Sequence, residues 1–126
     1  MTRTFGLIMM AALLAVPAQA QETRDDFSAR TVADLHKLCA AADADRSHAY
    51  AVGFCYGWLE GAGQFYEEMF LDPRFELRPL VCNAEELTRE QARTIFVNWA
   101  RANPGEAGRP APSGVITAMK EQSPCR

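Results

Sequence analysis

Four cysteines, Cys39, Cys55, Cys82 and Cys125, restrict the folds open to this 126-residue chain more than any other feature. An even set in a small exported domain reads as two disulfides. No C-x-x-C occurs, and the two histidines, His36 and His48, are not spaced as a ligand pair, so a zinc site has no support. Two covalent staples let a domain of this size persist around a modest core.

The disulfide reading depends on compartment, and the N-terminus supplies one. Arg3 forms a positive n-region, residues 5–16 an apolar run, and Ala18-Gln19-Ala20 an A-x-A cleavage site. Residues 1–20 are therefore expected to be a cleaved signal peptide, residues 21–30 a flexible lead-in, and residues 31–126 one helical domain in the periplasm. Pro17 cuts the apolar run short of the roughly 20 residues that a membrane span needs, and no membrane anchor is expected. The formal charge is −3 for the whole chain and, with Arg3 removed, −4 for the mature part. That balance disfavours nucleic acid and anionic membrane surfaces, and is compatible with a basic protein partner.

Apolar residues recur at helical spacing in four places. Thr31 and Asp34 form a capping-box start ahead of Val32, Leu35, Leu38 and Cys39. A second helix is expected over residues 48–70, with Phe54, Cys55, Trp58, Leu59, Ala62, Phe65, Tyr66 and Met69 on one broad face. Thr88 and Gln91 cap a third helix, whose stripe is Ala92, Ile95, Phe96 and Trp99 and whose stop is Asn103-Pro104-Gly105. Ser113 is placed to cap a short last helix carrying Val115, Ile116 and Met119. No stretch alternates as a strand does, so the fold expected is a small all-α domain of four helices.

The second helix contains an anomaly. Gly53, Gly57 and Gly61 repeat every four residues opposite its apolar face, although an interior glycine costs roughly 1 kcal/mol against alanine. Such a strip lets another backbone approach closely, and the expectation is helix packing, within the domain or against a dimer mate. Helix geometry also bears on the cysteines. A short antiparallel turn would leave Cys39 and Cys55 at depths differing by roughly 7 Å at 1.5 Å per residue, which is awkward for a disulfide. The expected pairs are accordingly Cys55–Cys82 and Cys39–Cys125.

Catalytic chemistry has little to rest on. His36 and His48 lie in different helices without a motif, and Glu60, Glu67 and Glu68 read as a solvated helix face rather than an acid–base pair. No nucleophile elbow, zinc-protease motif or phosphate loop is present, and no enzyme activity or cofactor is expected. Binding is the stronger reading. Residues 70–80 are unusually apolar for a loop, and Pro73 and Pro79 prevent helix two from continuing through them. Arg74, Phe75, Arg78 and Tyr66 are the expected partner-binding residues, with Tyr50 and Tyr56 as further contacts off the apolar stripe.

The order of these features is familiar. A signal peptide, "DLHKLC", "FCYGWLEGAGQF", a cysteine ahead of the capped helix "LTREQARTIFVNWARANP", and a terminal "SPC" together resemble the Rap/Tai family of periplasmic immunity proteins. The resemblance spans residues 31–125 and is strongest at Cys55, Gly57, Trp58 and Gly61. This chain has Trp58 where the family usually has tyrosine, and Ala84 where it has proline. The resemblance implies stoichiometric inhibition of a peptidoglycan amidase effector of type VI secretion. It also implies a homodimer that inserts a loop or helix end into the effector's groove. A small acid-stress chaperone of the periplasm and an envelope-complex subunit remain the alternatives.

Overall fold

The structure is a computed structural model describing residues 27–83 and 86–125; the expected signal peptide and most of the lead-in lie outside these residues. Four helices follow in order: α1 Val32–Cys39, α2 His48–Leu71, α3 Arg89–Ala102 and α4 Ala111–Gln122. Two single 3₁₀ turns, Pro73–Phe75 and Pro104–Glu106, start on prolines whose missing N–H costs nothing there. Among the described residues there is no strand, only two isolated bridges, Thr31 with Pro110 and Val81 with Pro124. The all-α four-helix architecture is as expected.

Local chemistry sets the helix ends. In α1 the Thr31 side chain accepts from the Asp34 N–H at 3.2 Å while Asp34 accepts from the Thr31 N–H at 2.9 Å. Thr88 and Gln91 make the same reciprocal pair at the start of α3, at 3.2 and 2.8 Å. Each pair satisfies two N–H groups that a bare helix start leaves unpaired. Asn103 closes α3 by donating its side-chain amide to the Trp99 carbonyl at 2.8 Å. Ser113 does not cap α4. That helix begins at Ala111, two residues earlier, because the Ala111 and Val32 N–H groups pair with Arg30 and Arg109 carbonyls across the Thr31–Pro110 bridge.

The short α1 sits among the other three helices and supplies the centre of the core. Val32, Leu35 and Cys39 are buried with Cys55 and Leu59 of α2, Phe96 and Trp99 of α3, and Val115, Ala118 and Met119 of α4. Gly114 is where close approach is required: a Cβ there would lie 2.4 Å from Val32 Cγ2 and 3.2 Å from Trp99 Cζ3. The glycine strip of α2 plays no such part. A Cβ at Gly53, Gly57 or Gly61 would meet nothing within 4 Å, so close packing within the domain does not explain these three. The broad apolar face of α2 is also only half used. Ala51, Val52, Cys55 and Leu59 are buried, whereas Phe54 is 37% and Phe65 69% exposed, because the neighbouring helices cover one side of it only.

The disulfides are Cys39–Cys55 and Cys82–Cys125, each with Cα atoms 5.1 Å apart, and the expected pairing is overturned. The short-turn premise fails. α1 ends at Cys39, and residues 40–47 loop out through successive turns, so the end of α1 comes alongside Cys55 rather than opposite the start of α2. The loop does return to Tyr66 of α2, but Cys82 is taken by the C-terminal tail: its N–H donates to the Ser123 carbonyl at 3.0 Å beside the Val81–Pro124 bridge.

Candidate partner-binding surface

The segment after α2 is held in one shape by its own polar groups. Asp72 caps the turn Pro73–Phe75 by accepting from the Arg74 N–H at 2.8 Å. The Arg74 guanidinium folds back on the same carboxylate, with Nε 2.9 and 2.8 Å from its two oxygens, and its Nη2 reaches Glu68 at 3.1 Å. These bonds hold the Asp72 carboxyl below its ordinary pKa range and raise that of Arg74. Glu76 then takes left-handed backbone, φ 49°, which ends the turn and reverses the chain.

Tyr66 fastens the far end of this segment. Its hydroxyl oxygen accepts from the Leu80 N–H at 2.6 Å and the Val81 N–H at 2.8 Å, and its O–H lies 3.4 Å from the Val81 carbonyl. The ring stacks on Phe70 with centroids 4.4 Å apart. Val81 is thereby buried in the core, while its neighbours on the loop face outward: Phe75 and Leu77 are each 43% exposed and Leu80 42%. The segment is thus tied at both ends and presents three large apolar side chains to solvent.

Beside the loop runs an apolar groove of about 680 Å³ between the second half of α2 and the facing sides of α3 and α4. Trp58, Leu59, Phe65, Tyr66 and Phe70 form one wall, and Leu87, Ala92, Val115, Ile116 and Met119 the other, with Val81 joining loop to groove. Glu60 and Glu67 lie along the α2 rim and Arg89 on the α3 rim. Loop and groove form one continuous surface because Val81 belongs to both and Tyr66, a groove residue, bonds the loop at Leu80 and Val81.

The structure distributes the sequence-expected contact residues unevenly. Phe75 and Arg78 are exposed on the loop. The Arg74 side chain is 74% exposed, yet engaged with Asp72 and Glu68. The hydroxyl of Tyr66 is bonded within the chain, which leaves its ring to line the groove. Tyr50 is 75% exposed, away from this surface. Tyr56 is bonded between helices: its O–H donates to Glu90, which also pairs with Arg93 at 3.0 Å, and Arg93 Nε donates to the Cys39 carbonyl at 2.7 Å. The bond to Glu90 raises the Tyr56 pKa and lowers that of Glu90. Sequence reasoning missed the groove's second wall, because residues such as Ala92 and Ile116 read as ordinary core positions of their own helices.

Among the described residues no cysteine is free and no three His, Cys, Asp or Glu side chains could together hold a metal ion. His48 packs on its own link, Nδ1 3.0 Å from the Ala41 carbonyl and Nε2 3.4 Å from Asp43. His36 faces Arg101 of α3, and burial and then that charge push its pKa down. No helix of the described residues is long and apolar enough to cross a membrane.

Compared with known proteins, residues 31–125 match the family of Rap1a immunity proteins. No curated protein and no solved structure matches the chain.

Proposed function

The chain belongs to the family of Rap1a immunity proteins, and from that premise we propose that it is an exported, periplasmic inhibitor. Its partner is a peptidoglycan amidase effector of type VI secretion, which it binds as a homodimer and blocks without chemistry of its own. The family match over residues 31–125 carries this reading. The two disulfides fit an oxidising compartment, and the signal-like residues 1–20 fit export to it.

The contact is assigned to the loop 72–81 and the groove beside it. Exposed Phe75 and Leu77 are suited to fill a pocket, and Arg78 to reach a carboxylate or carbonyl at its rim. A loop already fixed by Asp72 and Tyr66 loses little conformational freedom on binding, which raises affinity. The test is titration of the mature chain against each amidase-type effector encoded in the same genome, with peptidoglycan hydrolysis as the readout. A stoichiometric complex that abolishes hydrolysis at one equivalent is expected. Undiminished hydrolysis by all of them at excess chain rejects the amidase reading.

A further inference from the structure

The two disulfides occupy different environments. Cys39 and Cys55 are both 0% exposed, sealed between α1 and α2 in the centre of the core. Cys82 and Cys125 are only half-buried, at the edge of the domain where the contact loop meets the C-terminal tail. Among the described residues, what surrounds the second bond is the Cys82 N–H to Ser123 carbonyl bond, the Val81–Pro124 bridge, and the Tyr66 hydroxyl on Leu80 and Val81. The helix-to-helix packing of α1, α3 and α4 does not run through it.

We propose that Cys82–Cys125 is a reducible latch that holds the loop 72–81 and the adjoining wall of the groove in their contact shape, while Cys39–Cys55 is a permanent staple of the core. The claim that this controls binding rests on the contact surface assigned above. The chemistry is thiol–disulfide exchange with a dithiol. Its thiolate attacks one sulfur of the pair, and a mixed disulfide forms. The second thiol of the reductant then closes to a cyclic disulfide, leaving Cys82 and Cys125 as thiols after transfer of two electrons and two protons. Attack requires access to a sulfur along the S–S axis, which full burial denies at Cys39–Cys55, whereas Cys82 and Cys125 are each partly exposed. Loss of the covalent tie leaves residues 80–82 held by the burial of Val81 and by those polar bonds alone, so the loop and the C-terminal tail part more readily. On this reading the chain can assemble its helices under reducing conditions, but acquires its contact surface only on oxidation.

The experiment treats the purified mature chain with graded dithiothreitol, alkylates it with iodoacetamide, and reads modified peptides by mass spectrometry, with helical circular dichroism and amide hydrogen exchange on the same samples. Over a window of reductant, Cys82 and Cys125 are expected to be alkylated while Cys39–Cys55 stays closed and the helical signal persists. In that window the Leu80, Val81 and Cys82 amides should exchange at least tenfold faster, with α1 and α3 unchanged. The double variant C82S/C125S, measured at 15 °C, should reproduce that exchange pattern with the helices intact. Alkylation of all four cysteines together, loss of the helical signal in the variant, or unchanged exchange at residues 80–82 each overturns the latch. None of these readouts requires a partner, so failure of the contact assignment leaves them unmoved and is detected separately by loop substitutions measured against an effector.

Discussion

His36 carries the one buried side-chain polar atom among the described residues that lacks a hydrogen-bond partner, its Nε2. Protonating it would place a charge there, near Arg101, which is why burial and that guanidinium lower its pKa from the usual 6.5. The unfolded chain therefore binds a proton at higher pH than the folded one does. Stability is complete above about pH 6.5 and falls as the pH drops through the lowered folded value. The thermal midpoint should decline from pH 7 to pH 5, and His36→Gln should flatten that decline; an equally steep profile in the variant removes His36 as its cause. Glycine substitutions give opposite signs at two places. Gly114→Ala forces a methyl against the stiff, buried Val32 and the ring of Trp99, and overpacking of that kind costs about 1–3 kcal/mol. Gly57→Ala and Gly61→Ala add a methyl in open space on a helix and should each stabilise by about 0.5–1 kcal/mol in denaturant titrations. A loss of stability at Gly57 or Gly61 that appears only at concentrations where the chain self-associates would place the strip in a dimer interface.

At the level of elements, the starts of α1 and α3 were legible and the connections were not. Thr31 with Asp34 and Thr88 with Gln91 are local patterns, since the groups that satisfy one another lie three residues apart, and both caps form as the sequence predicts. Cysteine pairing depends on where links run. Residues 40–47 and 72–81 are both irregular, and nothing in their composition reveals that the first brings Cys39 beside Cys55 while the second hands Cys82 to the C-terminal tail. The glycines of α2 were ambiguous for a related reason: an open strip and a packed one read alike until the neighbours are known. Ser113 was a fair cap by residue type, yet pairing across Thr31 and Pro110 began the helix earlier. The loop's apolar content was visible in the sequence, but not the device that fixes it, the Tyr66 hydroxyl oxygen accepting from two successive backbone N–H groups. Tyr66→Phe leaves the stacking on Phe70 in place and strips those N–H groups of their acceptor. It should cost about 1–2 kcal/mol in denaturant unfolding and speed exchange at residues 80 and 81. Unaltered exchange there would mean that the Val81–Pro124 bridge and the disulfide hold the loop without the hydroxyl.

On the scale of the whole molecule, a core centred on α1 leaves most of the loop 72–81 on the surface. The buried cluster draws on all four helices and, from the loop, on Val81 alone: Phe75 and Leu77 touch solvent over two-fifths of their surface. Binding and folding should therefore be separable there, and the choice of residues decides whether the separation can be seen. Arg74 is a poor probe despite its exposure, since its guanidinium braces the turn through Asp72 and Glu68, and truncating it alters the loop's shape as well as any contact. Leu77 has no such duty, and Phe75 meets the bracing guanidinium only through its ring, 6.0 Å from centroid to Cζ. The double variant Phe75→Ala with Leu77→Ala should hold its melting temperature within about 2 °C, because surface truncations away from the core change stability by no more than roughly 0.5 kcal/mol. If the loop is the anchor of an effector complex, the same variant loses at least a tenfold in affinity, about 1.4 kcal/mol, by isothermal titration. Ile116→Ala, on the far wall of the groove, should weaken binding less than the loop pair does, since a rim residue that excludes water contributes less than an inserted aromatic. A fall in melting temperature with affinity unchanged would make the loop a cover for the core. Affinity lost only at Ile116 would move the contact wholly into the groove, with Trp58 and Phe65 as its anchors.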